Sequence, residues 1–348
     1  MKIAVLCGGR SPERDVSIST GTMVASALRK NGHLVALVDS AEDHTEPASG
    51  YFTFEDIGLA SASISDTAPK IDYDPLQVDF FGKGVLDICR EADIVFNAMH
   101  GAAGEDGTLQ ATFDLMGIKY TGSSAKGCML AMDKLLTKQL CALIPQAVRM
   151  PRGAVLRKQS FEKDGLPSGI EVLGYPLVVK PVSCGSSVGV SIAETDRELL
   201  KALKLAFTYG DRVIIEEFIK GREFAVGILG DEVLPAIEIK PKHGFYDYSN
   251  KYQKGMTDEI CPADIDKETS VRMQRMAGFV YSCLSLSVYA RIDFIMAENG
   301  TVYCLEANTL PGMTPMSLLP QEAAAAGIDF NTLCQRIVDE SMKKYDRA

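Results

Sequence analysis

YARIDFIMAENGTVYCLEANTLP, residues 289–311, reads as two β-strands on either side of Asn299-Gly300, a dipeptide that favours a two-residue hairpin turn. Counting outward from that turn pairs Glu298 with Thr301, sets Asp293 opposite Glu306 and sets Arg291 opposite Asn308. Period-two alternation then puts Arg291, Asp293, Glu306 and Asn308 on one face. Two carboxylates facing each other across a ladder stand roughly 5 Å apart at Cβ and repel. A hard divalent cation would neutralise them, taking Asp and Glu oxygens with an Asn carbonyl and completing its shell with water and nucleotide phosphates. Arg291 then faces whatever that cation holds. A solvent-screened acidic hairpin is the plainer alternative. In the loop that follows, Pro311-Gly312 offers a glycine N–H that a ligand can approach closely.

The rest of the chain sets bounds on this picture. A length of 348 residues exceeds what one hydrophobic core usually supports, so two or three domains are expected. With 46% hydrophobic and 24% charged residues and no apolar run of membrane-spanning length, an ordinary globular protein off the membrane is expected. The first apolar run, residues 3–6, is too short for a signal-peptide core and leads into Gly8-Gly9, so it reads as a strand and the expected location is the cytoplasm. Nine cysteines without CxxC spacing fit reduced thiols. A net charge of −10 argues against nucleic acid as a partner.

From residue 1 to about 122, short apolar strands (KIAVLCGG, HLVALVD, ADIVFNAMHG) alternate with helical patterns, a βαβ rhythm over a parallel sheet. GxGxxG is absent after the first strand, so NAD is not expected. Residues 41–79, rich in Asp, Ser, Thr and Pro, read as a surface excursion. Glu13 follows the first strand, where an acid can meet a ligand's ammonium group or merely favour a helix N-terminus. His100 opens a glycine-rich strand-to-helix turn of the kind that binds ligands, with a structural hydrogen-bonded role as its alternative.

A single helix is expected over about 123–138, with Lys134 among apolar neighbours, and MPRGAVLRKQ then reads as a linker into a new domain. Strand 175–180 ends at Lys180 and runs into PVSCGSSVGV, whose glycines, N–H groups and serines can wrap an anion; a serine-rich hairpin turn is the alternative. Arg212 to Ile219 forms a strand whose end could face an adenine, with Glu223 near a ribose, or be a solvated acidic edge. Residues 242–257 fit a lid, and a helix from about 267 to 286 leads back to the hairpin.

Taken in order, HGAAGEDGTLQ, MDKLLTK, VVKPVSCGSSVGV, EEFIKGREF, FYDYSNKY, RIDF and LEANTLPGMTPMSLLP resemble the motifs of the D-alanine–D-alanine ligases within the ATP-grasp superfamily, over nearly the whole chain. The resemblance implies an α/β protein: an ATP-grasp fold preceded by a parallel-sheet (βαβ) domain, divided as 1–122, 123–225 and 226–348. It implies that Lys134, Lys180 and the lid's Lys251 hold nucleotide phosphates, that Glu216, Glu217 and Ile219 line the adenine site, and that Glu223 binds ribose. Asp293, Glu306 and Asn308 would ligate two magnesium ions, for which manganese can substitute. Glu13, Ser186 and Tyr252 match a triad around the first D-alanine, Arg291 and Gly312 match oxyanion stabilisers, Ser317 would receive the second D-alanine's carboxylate, and His100 would lie by the first substrate.

The implied activity is ATP-dependent joining of two D-alanines through an acyl phosphate, for peptidoglycan precursors, by a homodimer. Pro315, Met316 and Cys184 depart from the family pattern. Pro315 and Met316 keep a D-alanine–D-serine ligase as the alternative, backbone contacts would tolerate Cys184 in the phosphate loop, and Tyr252 disfavours D-lactate as acceptor; an inactive nucleotide-binding regulator is the remaining alternative.

Overall fold

The computed structural model describes residues 1–56, 79–166, 169–185, 187–242, 255–314 and 316–346. Strands β1 (Lys2–Cys7), β2 (Leu34–Asp39) and β3 (Ile94–Asn97) form a parallel sheet in the order β2-β1-β3. β1 is apolar on both faces, as a strand covered on both sides must be. Ile3 and Val5 pack in the core that includes Val24 and Leu28 of α1 (Arg14–Lys30), and Ala4 and Leu6 in the one that includes α2 (Val85–Glu91) and α3 (Thr108–Met116).

The single helix expected over about 123–138 is two: α4 (Ala125–Met132) and α5 (Lys134–Cys141). Asp133 divides them, because its carboxylate accepts the Leu136 N–H at 2.9 Å and starts the second helix as an N-cap. A four-stranded antiparallel sheet follows, β4 (Gly153–Arg157), β5 (Leu177–Pro181), β6 (Ser191–Ala193) and β7 (Arg212–Glu217) in the order β4-β7-β5-β6, with α6 (Lys158–Asp164) and α7 (Asp196–Ala206).

The third sheet contains β8 (Gly221–Leu229), β9 (Glu232–Val233), β10 (Ile237–Pro241), β11 (Thr257–Ile260), β12 (Tyr289–Ala297) and β13 (Val302–Asn308). Its order is β11-β10-β8-β12-β13, with β9 on β8. All of β8 belongs to it. Helices α8 (Lys267–Cys283), α9 (Leu318–Ala325) and α10 (Phe330–Asp346) complete the chain.

Side-chain parity creates the cleft between the two antiparallel sheets. On β5 and β7, Leu177, Val179, Val213 and Ile215 pack against α7, which turns Lys180 and Glu216 the other way. On β8 and β12, Phe224, Val226, Ile292 and Phe294 share a core with α8, which turns Glu223 and Asp293 toward the same space.

The acidic hairpin keeps the expected pairs by an unexpected route. Asp293 is opposite Glu306 and Arg291 opposite Asn308, but nearer the turn Met296 pairs with Val302. The chain turns through three residues, 298–300, with Gly300 at φ 78° and the Ala297 N–H bonded to the Thr301 carbonyl (2.9 Å), so Glu298 does not pair with Thr301. The one-residue offset is cancelled by a bulge between Asp293 and Phe294, where Leu305 is the extra residue of β13. The bulge also lets Leu305 and Glu306 both line the cleft.

α10 packs back on the first sheet, with Leu333 and Ile337 in the core that holds Ile3 and Leu28. Lys344 fastens its end: Nζ donates to the carbonyls of Tyr120 (3.1 Å) and Gly122 (2.6 Å) and lies 4.5 Å from the centre of the Tyr120 ring. None of the nine cysteines is disulfide-bonded. Among the described residues no helix is long and apolar enough to cross a membrane.

Candidate active site

Lys134, Lys180, Glu216, Glu217, Ile219, Glu223, Asp293 and Glu306 all line the cleft, a cavity of about 170 Å³. Lys134 is the first residue of α5. Its Nζ donates to the Cys184 carbonyl at 2.6 Å and lies 3.2 Å from Glu306 Oε2, tying the Gly-Ser loop after β5 to the acidic hairpin. Asp133, the cap before it, also accepts from Arg212 at 2.9 Å. Within the loop, Val188 N–H bonds to Gly185 O and Val190 N–H to Ser187 O, while Ser187 takes φ 57°, a left-handed conformation that costs a non-glycine residue energy and clusters at ligand sites. Ser186 lies outside the described residues.

Glu216 is 3% exposed and sits between two ammonium groups: Lys180 Nζ is 2.6 Å from Oε2, and Lys138 pairs with Oε1. Burial pushes its carboxyl up, and Lys180 and Lys138 more than offset that, so it titrates below its ordinary value. Glu217 pairs with Arg152 at 2.8 Å.

Beside the cleft, Arg291 grips Asp293 with both nitrogens of its fork, Nε to Oδ1 at 2.7 Å and Nη2 to Oδ2 at 2.8 Å, and Asn308 Nδ2 donates to Oδ2 at 2.9 Å. The repulsion between Asp293 and Glu306 is therefore offset here by Arg291 and Lys134. Among the described residues no group of three or more His, Cys, Asp or Glu side chains forms a metal site. The hairpin instead offers two carboxylates and an amide oxygen, a donor set that suits a hard divalent cation whose remaining positions go to phosphate and water.

Glu322 of α9 is fully buried near the same charges. Its Oε1 accepts the Gly227 N–H at 2.8 Å, and Gly227 faces Arg291 across the β8–β12 ladder. A Cβ at Gly227 would fall 2.8 Å from Glu322 Oε2, so only glycine leaves room. Burial raises the Glu322 pKa from its ordinary 4.5 to about 8, against the pull of Arg291. The folded state thus keeps a proton that the unfolded chain loses, and stability falls as pH rises from about 4.5 to about 8. Glu322→Gln, which keeps the acceptor, is expected to stabilise the fold by roughly 2–4 kcal/mol at pH 8.5 and hardly at all at pH 4.5. Parallel thermal melts of the variant and the wild type check this; an equal difference at both pH values contradicts it.

A second cluster borders the Gly-Ser loop from the first sheet. Glu13 stands at the N-cap of α1 but makes no cap hydrogen bond with its side chain. Its Oε2 lies 3.7 Å from where a Cβ on Gly185 would be, so this acid reaches the loop. His100 is buried, with Nε2 3.0 Å from Thr20 Oγ1 and Nδ1 3.4 Å from Glu105 Oε1. Both ring nitrogens are engaged by protein groups.

Gly312 and Ser317 are brought together: a Cβ at Gly312 would sit 2.8 Å from Ser317 Oγ, which accepts the Thr314 N–H at 3.1 Å. Met316 is exposed, and its carbonyl is held by Gln321 Nε2 at 2.9 Å. Lys251, Tyr252 and Pro315 lie outside the described residues. Asp39, placed where a dinucleotide's ribose would need an acid, accepts from Gly9 N–H (3.2 Å) and Arg14 Nη1 (2.9 Å).

Lys138, Arg212, Glu105, Gln321 and Glu322 are site neighbours that sequence patterns do not single out. Only Lys138 carries a signal, its i+4 spacing from Lys134 on one helix face.

Two antiparallel sheets closing on a cleft with paired lysines on one side and paired carboxylates on the other define an ATP-grasp fold. Residues 2–123 match the family model described as the D-ala D-ala ligase N-terminus and residues 148–339 that of the D-ala D-ala ligase C-terminus. The chain belongs to the D-alanine–D-alanine ligase family. Relatives of that name include one from Pediococcus pentosaceus, 41% identical over 99% of both chains, and one from Lacticaseibacillus casei, 39% identical over 99% of this chain and 97% of its own. Among solved structures, the D-alanine–D-alanine ligase from Bacillus anthracis complexed with ATP superposes with a TM-score of 0.77 at 30% identity, covering 100% of this chain and 99% of that one. The VanG D-Ala:D-Ser ligase from Enterococcus faecalis gives 0.76 at 29% identity over 98% and 99%.

Proposed function

We propose that this chain joins two D-alanines to D-alanyl-D-alanine, converting ATP to ADP and phosphate, for peptidoglycan precursors. The observation that carries this reading is one cleft in which Lys134 and Lys180 face Asp293 and Glu306, with Arg291 holding Asp293. Lys134 and Lys180 bind the phosphates, with Lys251 on the lid. Glu216, Glu217 and Ile219 line the adenine and Glu223 takes the ribose. Glu13, Ser186 and Tyr252 orient the first D-alanine, His100 lies by that substrate, and Ser317 receives the second carboxylate.

A carboxylate is a poor electrophile, so an oxygen of the first D-alanine attacks the γ-phosphorus and ADP leaves, giving an acyl phosphate. The lysines offset charge on the phosphoryl oxygens. The unprotonated amine of the second D-alanine then attacks the acyl carbon, Arg291 and the Gly312 N–H hold the oxyanion, and phosphate departs with its bridging oxygen and the proton the nitrogen gives up. Asp293, Glu306 and Asn308 would hold magnesium, or manganese, which supplies charge neutralisation at the phosphoryl group when bound. An acyl phosphate hydrolyses readily, so this step requires a site from which water is excluded.

The division into 1–122, 123–225 and 226–348, a homodimer and a cytoplasmic location belong to the same proposal. It is tested by phosphate release from ATP and magnesium, which should require D-alanine and stay at background with L-alanine. Equal release with either enantiomer contradicts the substrate assignment.

A further inference from the structure

Lys138 lies one turn beyond Lys134 on α5 and is not part of the cleft wall. Its ammonium donates to the Pro151 carbonyl at 2.5 Å and to Glu216 Oε1, while Lys180 holds Oε2 at 2.6 Å. Glu216 is thus a buried carboxylate shared between a lysine that faces the cleft and one that does not. A buried charge stripped of its last counter-ion is strongly destabilising, so a carboxylate with Lys180 as sole partner would keep that lysine.

We propose that Lys138 is a positioning residue, the permanent counter-ion of Glu216, which lets Lys180 exchange that carboxylate for a nucleotide phosphate without orphaning it. The inference rests on the nucleotide reading of the cleft given above. Its consequence is selective: Lys138 governs affinity for the phosphate end of the ligand and not for the nucleoside.

Calorimetric titration with magnesium ADP and with adenosine tests it on the full chain. Lys138→Met is expected to weaken ADP binding about 30-fold and adenosine binding less than about 3-fold. In a Glu216→Gln background the same substitution is expected to leave ADP affinity unchanged, because a neutral amide has no claim on Lys180. This second comparison stands even where Lys138→Met alone does not fold. Wild-type ADP affinity in Lys138→Met, equal losses for ADP and adenosine, or an undiminished ADP loss in the Glu216→Gln background would overturn the role of Lys138. A wild-type chain that binds no ADP would instead overturn the nucleotide reading, and this inference with it.

Discussion

Asp293→Asn is expected to lower D-alanine-dependent phosphate release by about a thousandfold with little loss of fold. The size of the effect follows from what Asp293 joins. It accepts both arms of Arg291 and the Asn308 amide, and with Glu306 it is one of the two carboxylates of the hairpin. Asparagine keeps the shape and one acceptor but loses the charge, and it sets an amide N–H against a guanidinium donor. A divalent cation would then keep a single carboxylate, Glu306, at the step where phosphoryl charge develops. The folded state loses a charge-assisted hydrogen bond, about 1–3 kcal/mol, which a melt would register as a shift and not as collapse. Near-normal turnover at ordinary magnesium would remove Asp293 from the metal site.

Arg291→Gln is expected to reduce kcat by about 100- to 1000-fold while changing the KM for ATP little, because an oxyanion donor acts only once the tetrahedral intermediate forms. Arg291 also has a structural duty, since its charge acts on both Asp293 and buried Glu322. The two duties separate in a double variant. Arg291→Gln combined with Glu322→Gln is expected to regain melting temperature lost in the single variant and to regain no activity. Recovery of both together would mean that Arg291 only supports the fold. An unchanged kcat in Arg291→Gln would remove it from the chemistry.

The hairpin was legible because strand alternation depends on local spacing alone. Its register matched expectation only because a three-residue turn and the bulge at Leu305 shift the pairing by one in opposite directions. Neither device is written in a short window. Lys180 and Glu216 could be placed on one face from their strands, whereas the sharing of Glu216 with Lys138 depends on α5 docking from 78 residues away. The same holds for His100: a hydrogen-bonded structural role could be read for it, but not its partner Thr20, 80 residues distant. Asp133 is plain as an N-cap only once the chain is seen to break there; its neighbours have helical propensity on both sides. Nothing local marks Glu322, an acid in an alanine-rich helix, as buried over Gly227.

The most direct test of the account is to supply the chain with ATP, magnesium and equal D-alanine and D-serine, and to identify the dipeptide by mass. D-alanyl-D-alanine as the main product, with one ADP formed per peptide bond, is the predicted result. D-alanyl-D-serine as the main product would contradict it and move acceptor choice to the loop carrying Met316 and Ser317.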